Sequence, residues 1–352
     1  MLKKVTAVLT VIVMLTIICF ELTSCKNAGG KRFQAEFLTM FDTVTQVVGY
    51  CESEEEFDEK AQLIHAELET YNKLYDIYNS YDGINNIRTI NENAGKKPVK
   101  VDKKIIDMLK LSKEECTKTN GAVNVAMGAV LSIWHDYREA GIKNPEKAEL
   151  PPIQKLKDAS QHTDINKVII DEGASTVFLE DPEMSLDVGA IAKGYAVEQV
   201  GRFALEDGFT KGLISVGGNV KAIGNKGFDN EPWNIGIQNP DQESENATLM
   251  TLKLKDMSLV TSGDYQRYYT VGEKKYHHII DPKTLMPAEY FRSVSILTAD
   301  SGVADALSTA VFNMPYDEGE RLIESLSDTE AVWVFKNGEI KYSSGIKNYK
   351  KD

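Results

Sequence analysis

The sequence predicts an α+β fold, with mainly antiparallel sheets and packed helices in a single large domain. Three observations carry this reading. The second half of the chain is a succession of short segments whose β-branched and aromatic residues alternate with polar ones, as in antiparallel strands. Strand patterns far outnumber clean β-α-β crossovers. No Gly-x-Gly-x-x-Gly follows a strand and opens a helix, so a Rossmann dinucleotide site has no support.

The elements follow in order. Residues 37–50 carry Val44, Thr45, Val47, Val48 and Tyr50 and read as a strand. Residues 57–74 place Ala61, Ile64, Leu68 and Tyr71 at helical spacing. The acidic stretch 52–59 is the solvated start of that helix. Residues 75–95 are rich in Asn, Asp, Gly and Tyr and read as a long polar loop with a short helix. Helix returns over 102–120, with Ile105, Ile106, Leu109 and Leu111 apolar and Asn120-Gly121 as its stop. A short helix covers 126–137, and 145–160 holds a loop and a solvated helix. Residues 167–170 and 176–179 form a hairpin around Asp171-Glu172-Gly173. A helix over 190–205 starts straight after Asp187 and Gly189. Residues 212–224 read as one strand broken by Gly217-Gly218, the mark of a bulge or of a backbone pressed against something. Residues 233–237, 247–254, 258–261, 275–280 and 293–298 continue the sheet. Residues 302–313 and 317–326 are helices. A hairpin through Asn337-Gly338 joins 330–335 to 340–342.

The ends and the charge bound the function. Lys3 and Lys4 precede an apolar run over residues 5–20, which reads as a secretory segment rather than a comfortable membrane span. Leu22-Thr23-Ser24-Cys25 then fits a lipoprotein cleavage site. Residues 1–24 are accordingly expected to be a signal peptide and 25–34 a tether, with 35–346 the folded domain. Lipid (palmitate) on Cys25 would hold the protein outside the cytoplasm on the bacterial cell membrane. An uncleaved anchor helix is the plainer alternative. Cys51 and Cys116 remain in the body, as a disulfide or as two buried thiols. The net charge of −13 disfavours a nucleic-acid role. An anionic ligand would need local help from lysine, backbone N–H groups or a cation.

Four polar, glycine-flanked segments carry candidate chemistry. In Ala304-Asp305-Ala306-Leu307-Ser308-Thr309-Ala310, Asp305 and Thr309 share one helix face. Hard oxygen donors so placed suit Mg²⁺, which also takes phosphate oxygens. A buried Asp accepting backbone N–H bonds, with Thr309 bonding its own helix, is the structural alternative. In Ser185-Leu186-Asp187-Val188-Gly189-Ala190-Ile191-Ala192-Lys193-Gly194, small residues enter a helix whose first N–H groups attract anions. Asp187 is placed there as an N-cap or a ligand acceptor, and Lys193 adds a cation. An ordinary capped helix with a solvent-facing lysine is the alternative. Ile214-Ser215-Val216-Gly217-Gly218-Asn219 is weak by itself. Ser262, Asp264 and Asp281 keep company with His277 and His278, which alternate across a strand, so at most one need enter a site. Histidine is the natural general acid or base near neutral pH, although a core histidine is the commoner fate.

Taken together, Asp187-x-Gly-Ala-Ile-Ala-Lys-Gly-Tyr, Ser262-Gly-Asp-Tyr, His277-His-Ile-Ile-Asp-Pro and Ala304-Asp-Ala-Leu-Ser-Thr resemble the ApbE family of FAD:protein FMN transferases. The resemblance spans residues 37–326 and implies a T-fold-like domain. It implies that FAD is split at its diphosphate with Mg²⁺, and that FMN passes to a hydroxyl, usually threonine (or serine), of a partner flavoprotein in exported electron transfer, releasing AMP. It implies that Asp305 and Thr309 bind Mg²⁺, with Ala190 and Ser308 helping, partly through backbone oxygen. It places FAD against Met40, Tyr78, Ala122, Val123, Asn124, Asp187, Lys193 and Ile279. It makes His278 the base for the acceptor hydroxyl and Lys193 a charge-neutralising partner in catalysis. FAD pyrophosphatase activity, or FAD binding without turnover, are the rival readings. The chain departs from the family pattern at Phe41-Asp42, at Asn124 and at Leu285, where a glycine, a carboxylate and a glycine are usual.

Overall fold

The computed structural model describes residues 30–227 and 229–351. The expected signal peptide, Cys19 and Cys25 lie outside the described residues. The hairpin β1 (Lys31–Met40) and β2 (Thr43–Cys51) leads into α1 (Glu54–Tyr75) and the short α2 (Ile87–Glu92). β3 (Val99–Lys100), α3 (Lys103–Lys118), α4 (Gly128–Lys143) and α5 (Ile153–Ala159) follow. Next come the hairpin β4 (Val168–Asp171) and β5 (Thr176–Leu179), then α6 (Ala192–Glu206). Hairpins β6 (Gly212–Val216) with β7 (Asn219–Ile223), and β8 (Trp233–Gln238) with β9 (Thr248–Leu254), precede β10 (Ser258–Gly263). The small hairpin β11 (Tyr268–Val271) and β12 (Lys274–His277) precedes β13 (Phe291–Thr298). Helices α7 (Ser301–Phe312) and α8 (Tyr316–Glu324) lead to the closing hairpin β14 (Glu330–Phe335) and β15 (Ile340–Tyr342).

One antiparallel sheet of eight strands organises the domain, in the order β1-β2-β6-β7-β10-β13-β14-β15. Strand alternation sends neighbours to opposite layers. Val47 and Val260 pack with the helices, whereas Val48 and Leu259 pack against β8 and β9 on the other face. Burial of these two apolar faces is the main driving force for the three-layer arrangement. Helix α1 forms because Phe57, Ala61, Ile64, Leu68 and Tyr71 make one buried stripe, and Ser53 caps it by accepting from Glu56 N–H. Helix α7 is apolar nearly all round and is buried accordingly, with Asp300 as its N-cap.

Several expectations are corrected. Residues 37–50 are two strands, because Phe41 and Asp42 both take left-handed φ (51° and 53°) and turn the chain. Asp42 suits a turn but Phe41 does not, and no glycine or proline marks the pair, so the turn signal is weak; the Phe41 N–H is held by Asn72 Oδ1 at 2.8 Å. Gly217 and Gly218 (φ 55° and 90°) likewise turn β6 into β7 rather than break one strand. β1 begins at Lys31, inside the segment read as a tether, and Lys351 N–H still bonds Thr251 O beyond residue 346. Strand β11 was not foreseen, and β12 ends at His277, so only one of the two histidines lies in it. Cys51 and Cys116 are two buried free thiols.

Leu285 stands where the family pattern has glycine and adopts φ 62° itself. The left-handed conformation costs about 1–2 kcal/mol for a residue with a Cβ. The turn is held by Asp281, which accepts from Lys283 N–H and Thr284 Oγ1, and by burial of the leucine beside Trp134.

Candidate active site

The hairpin tips at 41–42 and 217–218 and the end of β10 lie at one end of the sheet. With the 122–124 loop, α4, the 187–193 segment, the 278–280 segment and α7 they enclose a cavity of about 580 Å³. That size lies within the usual range for small-molecule sites. Asp305, Thr309, Ala190, Lys193, Asp187, Asn219, Tyr78, His278 and Ile279 all line it. Ala122, Val123 and Asn124 do so as well.

Asp305 anchors the floor. Its Oδ2 accepts from Gly194 N–H at 2.8 Å and lies 3.9 Å from Lys193 Nζ. The anion drawn to the first turn of α6 is therefore this carboxylate of α7. Asp187 is not the N-cap: α6 starts at Ala192 after Ile191, and no side chain caps it. Asp187 instead accepts from Gly189 N–H at 2.9 Å. Because Gly194 N–H goes to Asp305, it does not bond the carbonyl of Ala190 four residues back, and that oxygen has no protein donor among the described residues. Thr309 Oγ1 also has no protein partner among the described residues, so this hydroxyl does not bond its own helix.

Burial raises the Asp305 pKa, opposed by Lys193, the Gly194 N–H and the Asn219 amide. Asn219 Nδ2 faces Asp305 without completing a hydrogen bond. Burial also raises the Asp187 pKa, opposed by Gly189 N–H, His135, Arg138 and Lys193. A carboxylate so desolvated gains from any further cation. Among the described residues no group of three or more His, Cys, Asp or Glu could hold a metal. One carboxylate with an open hydroxyl and an open carbonyl nevertheless fits Mg²⁺, which takes few protein carboxylates and completes its shell from water and phosphate. Asp305, Thr309 and Ala190 would hold it. Ser308 does not join them through its side chain. Its Oγ is fully buried, bonded to Ser262 Oγ at 2.8 Å and Asp305 O at 2.9 Å, and it is not on the cavity wall.

The histidines separate. His277 is buried, donating from Nε2 to Ala288 O at 2.8 Å and meeting Phe312 edge-on. His278 lines the cavity, and its Nδ1 meets Arg267 O at 3.2 Å. A carbonyl accepts only from N–H, so Nδ1 carries the proton and Nε2 keeps a lone pair. Burial, with Arg267 and His277, lowers the His278 pKa to about 3. Of the polar company read beside them, Ser262 lines the cavity, Asp264 pairs with Lys336 at 2.6 Å, and Asp281 folds the turn.

Met40 is a correction: it is 4% exposed in the main core, and its neighbours Phe41, Asp42 and Thr43 line the cavity instead. Asn124 spends its side chain on Thr163 O and Ala126 N–H while still bordering the cavity. Tyr78 lies 5.2 Å from His135, whose Nδ1 accepts from Arg138 at 2.9 Å. Burial and the Asp187 charge push the Tyr78 hydroxyl up to about 12, so it stays protonated. Sequence reading missed His135, Arg138 and Arg267 because none of them sits in a segment with a chemical pattern of its own, and it gave Asn219, at the end of the Gly217-Gly218 segment, no role of its own. It also missed Asn91, which grips Leu186 by both its N–H (2.7 Å) and its carbonyl (2.9 Å) and so fixes the loop carrying Asp187.

Gly194 is required at the crossing of α6 and α7. A Cβ there would lie 2.2 Å from Ser301 O and 2.5 Å from Asp305 Cβ. Alanine would favour the helix by about 1 kcal/mol, but a clash with backbone outweighs that. Gly194→Ala is expected to lower stability by about 1–3 kcal/mol in a urea titration and to weaken Mg²⁺ binding, because Asp305 is displaced. Unchanged stability and Mg²⁺ affinity would show that the crossing tolerates a methyl group.

The chain is an enzyme of the transferase class. It belongs to the ApbE family, whose pattern matches residues 41–333. It is 32% identical over 259 residues to a FAD:protein FMN transferase of Klebsiella pneumoniae, covering 73% of this chain and 77% of that one. It is 33% identical over 273 residues to a FAD:protein FMN transferase of Treponema pallidum, covering 74% and 73%. The crystal structure of the ApbE protein of Thermotoga maritima superposes with a TM-score of 0.80 at 26% identity, covering 92% of this chain and all (100%) of that one.

Proposed function

We propose that this chain is a Mg²⁺-dependent FAD:protein FMN transferase, held outside the cytoplasm by lipid on Cys25. It moves FMN from FAD to a threonine (or serine) hydroxyl of an exported electron-transfer flavoprotein and releases AMP. The observation that carries this reading is the single cavity shared by the Asp305 carboxylate, the Lys193 ammonium and the open nitrogen of His278.

Each residue has a task there. Tyr78 offers a flat face and Asp187 an acceptor at the mouth of the 187–193 segment. Lys193 faces charge developing on the diphosphate, and Asp305, Thr309 and Ala190 would hold Mg²⁺. When bound, Mg²⁺ supplies neutralisation of the diphosphate oxygens. His278 Nε2 takes the proton of the acceptor hydroxyl. The hydroxyl oxygen forms a bond to the FMN phosphorus, the bond from that phosphorus to the bridging oxygen breaks, and AMP leaves with that oxygen and its electron pair.

Incubation of the protein with FAD, Mg²⁺ and a candidate acceptor tests the reading. A fluorescent acceptor band on a denaturing gel, with AMP in equal amount, supports transfer. Free FMN and AMP without a labelled acceptor would make it a pyrophosphatase. Bound, intact FAD would make it a binding protein.

A further inference from the structure

Asn313 ends α7 and is 5% exposed, yet it lines the cavity. Its backbone N–H closes the helix on Thr309 O at 3.2 Å. Its side-chain Nδ2 donates twice, to Ala122 O at 3.2 Å and to Ile280 O at 3.3 Å. Those carbonyls belong to two loops far apart in sequence, both walls of the cavity. No other side chain among the described residues is hydrogen-bonded to both. Its Oδ1 is buried without a partner. An unpaired buried acceptor costs stability, so this amide is not there for stability alone.

We propose that Asn313 is a positioning residue for FAD: it clamps the 122–124 and 278–280 walls to the C-terminal end of the helix that carries Asp305 and Thr309. The distance between the ring-side wall and the metal-side floor is thereby set by one amide. Apolar packing of Val123 and Ile279 is non-directional, whereas two carbonyls converging on one N–H₂ group set a direction and a distance. This inference rests on the flavin-transfer reading for its ligand but not for its geometry.

The test uses Asn313→Ala and Asn313→Asp in the full chain, with three measurements. The aspartate keeps the volume and turns an acceptor toward both carbonyls. Hydrogen exchange of the ligand-free protein is expected to quicken in both walls together while β14 is unchanged. FAD affinity, read by flavin fluorescence well below the melting temperature, is expected to fall about tenfold or more. In turnover, KM for FAD should rise more than kcat falls, which a general loss of stability would not produce. Exchange confined to one wall, or unchanged in both, overturns the clamp whatever the ligand. Quickened exchange with wild-type FAD affinity overturns the positioning role. If wild-type protein itself ignores FAD, the flavin reading fails while the exchange result still decides the clamp.

Discussion

Asp305→Asn is expected to leave FAD bound within about tenfold of wild type while transfer falls by roughly a hundredfold or more. The asymmetry follows from where the carboxylate sits. It is buried at the cavity floor, with Oδ2 tied to Gly194 N–H and Lys193 Nζ 3.9 Å away. Asparagine keeps the shape and can still accept from Gly194 N–H, so the α6–α7 crossing survives. What disappears is the negative charge that makes the site attractive to a divalent cation. In the proposed reading, ground-state contacts with the flavin would lie elsewhere, on Tyr78 and the 122–124 and 278–280 walls that line the cavity. Stabilisation of charge that develops only during cleavage is lost, so kcat carries the effect. Steady-state kinetics at limiting Mg²⁺, with FAD affinity measured separately, checks this. Equal losses in kcat and affinity would reassign Asp305 to plain substrate binding.

His278→Ala is expected to slow transfer about 10²–10⁴-fold with Mg²⁺ affinity near wild type. The imidazole is pre-set for the task. Its Nδ1–H is held by Arg267 O, and Nε2 is left with the lone pair that the proposed base role needs. Burial first, then the charges of Arg267 and neighbouring groups, brings its pKa to about 3 from an ordinary 6.5. A base that weak is always deprotonated at neutral pH but takes a proton poorly. Lys193 and Arg267 are among the groups that depress it, and a bound diphosphate neutralises such cations and lifts the pKa toward the working range. In an NMR titration, the His278 ring of free protein should stay neutral through pH 5, and FAD should move its transition upward. The sign for stability follows from the same shift. The unfolded chain takes up this proton near 6.5 and the folded one near 3, so stability falls as pH drops through that window. His278→Gln should therefore gain stability relative to wild type as pH falls from 7 to 4. Transfer unchanged in His278→Ala would place the base elsewhere; His277 is a poor substitute, since both its nitrogens are occupied in the core.

The strands and helices were legible wherever periodicity was clean, as in α1 with its stripe from Phe57 to Tyr71, or α7 between Asp300 and Asn313. Turns built from atypical residues were not. Phe41-Asp42 offers only Asp42 as turn chemistry, and the left-handed backbone of Phe41 is held by sheet pairing and the Asn72 hydrogen bond. The segments read for their chemistry all reach the cavity, because small residues such as Gly194 were needed for backbones to approach there. Met40 and Ser308 were misplaced for a related reason: a position next to a site in sequence alternates between wall and core. Met40 turns into the core while Phe41 faces the cavity, and Ser308 bonds Ser262 while Thr309 faces inward. Arg267, Asn91 and Asn313 were invisible because their partners are groups brought together only by the tertiary fold.

The most direct measurement replaces Mg²⁺ with Mn²⁺ and reads magnetic coupling between the metal and the phosphorus atoms of bound FAD. The expected result is a strong phosphorus coupling in wild-type protein that is lost, together with most Mn²⁺ affinity, in Asp305→Asn. Mn²⁺ bound equally well by the variant, or bound in wild type with no coupling to either phosphorus, would contradict a metal held between the Asp305 carboxylate and the diphosphate.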